Sequence, residues 1–247
     1  MANTYNHPGP VSVLEYFRRG LHTGRGPGLD DAIIDGFIAE FAQEPGINTL
    51  VNNDRIVFEK RAKAGRMHRN IDLVVGPPAG AIPDWADRSL GMARAMPAEI
   101  RLGGEVKSVM TEHGKAQRNR RGDMDNHANA MATINADAIT IGICLVNAAD
   151  AYHSHTAKIP LNDHGNGRDR ARRTIDELNM VPRRNPPAHM YGLDVLCTPV
   201  VVVTNEAGKY DAARFLTQAP APADGDDLSW GHLIAKSARL YTQKFPH

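Results

Sequence analysis

Apolar and polar positions along the chain fall into stretches with distinct periods. From Leu29 to Phe41 ("LDDAIIDGFIAEF") the residues Leu29, Ile33, Ile34, Phe37, Ile38 and Phe41 recur at helical spacing. Acids at the start of that stretch complement the positive end of a helix dipole, so the pattern predicts an amphipathic helix, stopped by "EPGINT". "NTLVNNDRIVFEK" predicts one or two short strands broken by an Asn-Asn-Asp turn. "NIDLVVG" predicts a short apolar strand interrupted by one acid, Asp72. Pro77 to Pro97 is a Pro- and Ala-rich excursion with room for a short helix. "AEIRLGGEVKSVM" resumes the strands, and "TEHGKAQRNRRGDMDNHANAMATIN" predicts a helix of several turns. "ADAITIGICLVNA" is a continuous β-branched run, as in a strand buried on both faces. A polar region from about Asp150 to Arg173 precedes a helix around "ARRTIDELNMV". "LDVLCTPVVVVTN" predicts another buried strand, and "LSWGHLIAKSARLYTQKF" a final helix. Strands mixed with crossover helices predict an α/β sandwich around a central mixed sheet.

Length and composition narrow the class. The 247 residues suffice for one good core and read as one domain, 1–247. With 42% hydrophobic and 23% charged residues, the chain belongs with folded proteins rather than disordered ones. No apolar run is long enough for a membrane span, and the N-terminus lacks a signal-peptide pattern, so the expected location is the cytoplasm. Cys144 and Cys197 sit in apolar strand-like runs without metal-ligand spacing and read as buried thiols. The net charge of +1 announces no nucleic-acid partner by itself, which leaves local clustering as the place to look.

One stretch, "GGEVKS", carries chemistry a buried strand does not need. Side chains alternate along a strand, so Glu105 and Lys107 share one face while Val106 takes the other. Asp72 is a lone carboxylate among apolar neighbours in "NIDLVVG", costly unless paired or bound to metal. Two strand carboxylates beside a lysine suit hydrolysis of a phosphodiester. The acids hold Mg2+, a hard cation that polarises the phosphoryl oxygen, while the lysine orients the attacking water and offsets developing charge.

"IDLVVG" followed by "GGEVKS", with an acidic helix before them and helix then strand after, resembles the PD-(D/E)XK nuclease superfamily, especially type II restriction endonucleases. The resemblance spans roughly Leu29 to Ala148 and implies an αβββαβ core and Mg2+-dependent cleavage of double-stranded DNA. It implies Asp72 and Glu105 as metal ligands, the Val106 backbone carbonyl as a further ligand, and Lys107 as the catalytic lysine. An acid on the first helix joins the metal shell in several such nucleases; Glu40 is the candidate, with Asp35 and Glu44 as alternatives. Ile71 stands where the family's proline would precede the aspartate. Residues 149–247 are then the family-specific part, for DNA recognition and dimerisation, and a homodimer is the simplest way to cut both strands of a palindrome.

Basic residues cluster after the proposed catalytic strand. Lys115, Arg118, Arg120 and Arg121 are placed to grip phosphates and Asn119 a phosphate or base edge, with His113 and His127 flanking them. A second cluster, Arg168, Arg170, Arg172, Arg173, Arg183 and Arg184, lies in the variable half, where sequence readout is expected. Two rival readings remain: a non-catalytic or repair-associated DNA-binding module, and a metallohydrolase built on His153, His155, Asp163 and His164. No nucleotide cofactor is expected, since the chain has no G-x-x-x-x-G-K-[ST] loop.

Overall fold

A computed structural model describes residues 8–20, 28–64, 69–111, 113–154, 161–163, 165–185, 191–206 and 212–246. At its centre is an eight-stranded mixed sheet with helices on both faces, the α/β arrangement that the alternation of strand and helix patterns predicts. The strands are β1 (Val57–Ala64), β2 (Arg69–Gly76), β3 (Ala93–Arg94), β4 (Leu102–Val109), β5 (Ile139–Asn147), β8 (Val195–Cys197), β9 (Val200–Val202) and β10 (Arg214–Phe215). They lie in the order β10-β9-β5-β4-β2-β1-β3, with β8 also on β5. A separate hairpin joins β6 (Ala151–His153) to β7 (Leu161–Asp163).

β5 is buried along its whole length, as its unbroken apolar run requires, and it pairs in parallel with β4, β8 and β9. One face of the sheet carries α1 (Val11–Arg18), α2 (Gly28–Phe41), α3 (Pro45–Asn52) and α6 (Trp230–Lys244). α2 turns Ile33, Phe37 and Phe41 inward against Ile143, Trp230 and Tyr241. Each of these large side chains is worth about 1.5–3 kcal/mol when fully buried. The other face carries α4 (His113–Ile134) and α5 (Gly167–Asn179), whose Met124, Ala128 and Leu178 pack on Cys144, Val146 and Leu196.

Several elements differ from the pattern reading. "PGINTLVN" is the helix α3, not a strand. Pro45 begins it, where its fixed φ suits a first turn, and Ile47 and Leu50, three residues apart, are both buried. Among the described residues the Pro77 to Pro97 excursion holds turns and the short β3, which pairs in parallel with β1, and no helix. α5 starts at Gly167, inside the stretch read as polar connection. "LDVLCTPVVVVTN" divides into β8 and β9 at Thr198-Pro199, because Pro199 has no N–H for the ladder. α6 begins at the expected place, with the Ser229 hydroxyl accepting the His232 backbone N–H at 3.2 Å. No helix is long and apolar enough to cross a membrane among the described residues.

Candidate active site

The antiparallel ladder between β2 and β4 runs through Val75↔Leu102, Val74↔Gly103 and Leu73↔Gly104 and stops there. Beyond that point the Asp72 side chain takes over a backbone role: its Oδ2 accepts the Val106 N–H at 2.9 Å. The ladder ends where the acids sit, leaving a notch in the pairing of the two strands.

Three oxygens converge in the notch on the Lys107 ammonium. Nζ lies 2.9 Å from Asp72 Oδ2, 2.7 Å from Glu105 Oε1 and 3.0 Å from the Val106 carbonyl oxygen. Glu105 is only 8% exposed. Burial, reinforced by the Asp72 charge and opposed by Lys107, pushes its carboxyl up to about 7. Burial works to lower the Lys107 ammonium, but the Glu105 and Asp72 carboxylates outweigh it and raise it.

α4 closes the notch from one side. A Cβ at Gly103 would stand 2.5 Å from Met131 Sδ, so the glycine is what lets the helix lie this close to β4. One turn earlier on the same helix face, His127 reaches Glu105: Nδ1 is 3.6 Å from Oε2, and Nε2 is 3.3 Å from the Gly103 carbonyl. His127 and His113 are both fully or nearly fully buried, not surface groups flanking a basic patch. His113 Nδ1 meets the Thr174 hydroxyl at 3.0 Å and ties α4 to α5.

Of the α2 acids, Asp30 is within electrostatic reach of the notch. It lies close enough to Lys107, Asp72 and Arg120 to feel all three charges; burial is the largest influence and raises its carboxyl, with Lys107 the leading opposing charge. Glu40 is ten residues, about 15 Å, further along the helix. There its Oε2 accepts the Trp230 indole N–H at 2.9 Å, and burial pushes it up to about 7. Asp35 pairs with Lys60 at 2.5 Å, and Glu44 stands at the N-cap position of α3.

The cations of α4 divide by position. Lys115, Arg118 and Asn119 are exposed, and Lys115, Asn119 and Arg120 line an open cleft of about 350 Å3 beyond the end of β4. Arg120 also pairs with Asp123 at 2.9 Å and donates to the Ser108 carbonyl. Arg121 is committed to α5, 3.1 Å from Glu177. In the second cluster Arg168, Arg172 and Arg173 are exposed. Arg184 is buried and donates to the carbonyls of Ala136 and Ala138 and to the Thr140 hydroxyl, which locks the start of β5. Arg183 donates to Val181 and Asn179 within its own turn.

Compared with protein-family models, curated proteins and solved structures, the chain finds no match. Among the described residues no three His, Cys, Asp or Glu side chains stand ready to hold an ion. The oxygens of the notch are a different donor set, two carboxylates and a backbone carbonyl, already gathered round a positive charge. All are hard oxygens, the chemistry Mg2+ takes. Of the histidine set, His155 and His164 lie outside the described residues, and His153 stands in β6 with its backbone N–H on Thr204.

Proposed function

We propose that the chain is a Mg2+-dependent nuclease of double-stranded DNA, of restriction endonuclease type, acting as a homodimer. The observation that carries the reading is the convergence of Asp72 Oδ2, Glu105 Oε1 and the Val106 carbonyl on one cation, the Lys107 ammonium. These are the ligands that the resemblance to PD-(D/E)XK nucleases assigns to the metal. With the short α3 and β3 set aside, the order α2, β1, β2, β4, α4, β5 also supports it, being helix, three strands, helix, strand.

Asp72, Glu105 and the Val106 carbonyl would hold Mg2+, with Asp30 near enough to add charge. When bound, the ion supplies the positive charge that polarises the scissile phosphate and acidifies a water. The protein's own groups do the rest. Asp72 stays fixed because its carboxylate also satisfies the Val106 N–H. Glu105 would join the metal as a carboxylate, and its burial beside the Asp72 charge makes a cation in the notch favourable. Lys107 would orient the attacking water and offset charge on the phosphoryl oxygens. The buried His127 ring lies against the far oxygen of Glu105, with Nδ1 at 3.6 Å. Lys115, Asn119 and Arg120, along the cleft at the end of β4, and the exposed Arg118 on the same helix hold the DNA backbone.

Substrate class is tested by incubating the purified protein and Mg2+ with duplex DNA, single-stranded DNA and RNA in parallel. Preferential endonucleolytic cleavage of the duplex is expected. Hydrolysis of RNA alone, or of none of the three, would overturn the reading.

A further inference from the structure

The antiparallel ladder between β1 and β2 is regular except at one position. It runs Val57↔Gly76 through Lys60↔Leu73, skips one pair, and resumes at Ala62↔Ile71. The skipped pair is Arg61 and Asp72. There Arg61 has φ +54°, the left-handed region, in the middle of a strand. Such a conformation is uncommon for a residue with a Cβ, and glycine or asparagine adopts it more readily. An arginine is held there, directly across from the aspartate of the notch.

The two neighbouring cations of β1 are used differently. Lys60 is mostly covered and pairs with Asp35 at 2.5 Å. Arg61 keeps its side chain 46% exposed and rests on the Asp31 carboxylate at the start of α2. Asp30 and Asp72 both lie within electrostatic reach of its guanidinium. Asp31 has a second cation at hand, since Lys60 Nζ is 3.9 Å from the same oxygen. The guanidinium can therefore leave Asp31 without stranding a lone charge. Nothing in the backbone calls for arginine at a left-handed position, so the side chain accounts for the choice. Unusual φ values held by bulky residues collect at sites where a group must be aimed.

We propose that Arg61 is a substrate-positioning residue, which swings from Asp31 to a backbone phosphate of the DNA strand lying across Asp72. A guanidinium suits that task because its planar fork meets two phosphate oxygens at once. This inference rests on the nuclease reading.

The test is equilibrium binding of a fluorescent DNA duplex without divalent ions, so that no cleavage occurs, over a series of salt concentrations. Thermal unfolding is followed in parallel. Arg61→Gly should melt no lower than the wild type, because glycine relieves the positive φ. Its affinity should fall roughly tenfold or more, the size of one charge-assisted hydrogen bond. The slope of log affinity against log salt should shrink by about one phosphate contact. Arg61→Asn, which also tolerates the left-handed region, should behave alike, and Arg61→Lys should recover part of both affinity and slope. A wild-type slope in Arg61→Gly and Arg61→Asn would overturn the assignment while leaving the nuclease reading intact. Unfolding of both variants would show a structural role and also overturn it. A wild-type protein that neither binds nor cuts DNA would bring down both readings.

Discussion

Glu40 offers a sharp test of which α2 acid belongs to the proposed metal site. Its carboxyl stands at about 7 because it is buried beside Trp230, and the indole N–H bond offsets only part of that burial. The folded value lies above the unfolded one, near 4.5. Between those values the folded state keeps a proton that the unfolded state releases, so stability falls as pH rises through the window and stays lower above it. Each pH unit between the two values is worth about 1.4 kcal/mol, which sets a ceiling of about 3 kcal/mol above pH 7. Water retains partial access to the half-buried side chain, so about 1–3 kcal/mol is the realistic range. Glu40→Gln keeps an oxygen for the indole and removes the charge. The variant should match the wild type near pH 4.5 and exceed it above pH 7, by about 2–4 °C in Tm for each kcal/mol. Thermal unfolding at pH 5, 7 and 8.5 reads this directly, with DNA cleavage measured on the same samples. A difference that does not grow with pH would refute the burial argument. Loss of cleavage in a folded, stabilised variant would return Glu40 to the proposed metal shell.

Other expectations concern the notch and its surroundings. Lys107→Ala should leave DNA affinity nearly unchanged while turnover falls about a hundredfold or more, the scale of losing one charge-stabilising group; single-turnover cleavage and metal-free binding separate the two. Replacing Lys115 and Arg118 with alanine should lower the salt slope of DNA binding by roughly two without changing Tm, since both side chains are exposed; an unaltered slope makes that face of α4 a bystander. Arg184→Ala should cost about 3 kcal/mol or more, measured by denaturant unfolding, because it leaves Asp194 and three backbone and hydroxyl oxygens without their buried cation.

Local chemistry explains what was legible in the chain. Strand alternation alone puts Glu105 and Lys107 on one face, and an isolated acid in an apolar run marks Asp72; all three meet in the notch. The unbroken apolar run of β5 marks a central strand without further information. What stayed hidden depends on distant parts of the chain. Which of the α2 acids comes within reach of the Asp72 and Lys107 charges depends on how the helix packs on the sheet, and Glu40 answers to Trp230, 190 residues away. Arg184 resembles its exposed neighbours in composition, but the return of the chain past Ala136, Ala138 and Thr140 buries it. α3 is too short to separate a helical from a strand period, so only its buried pair, Ile47 and Leu50, reveals it. Arg61 gives no sign in the sequence, because a left-handed arginine within a strand has no compositional signature.

The most direct measurement is cleavage of a long, unmodified DNA duplex by the purified protein with Mg2+, beside an EDTA control and the Asp72→Ala and Glu105→Gln variants. Discrete fragments from the wild type, absent from all three controls, are the predicted result. Cleavage that persists in Asp72→Ala or in EDTA would show that the three-oxygen notch is not the catalytic centre.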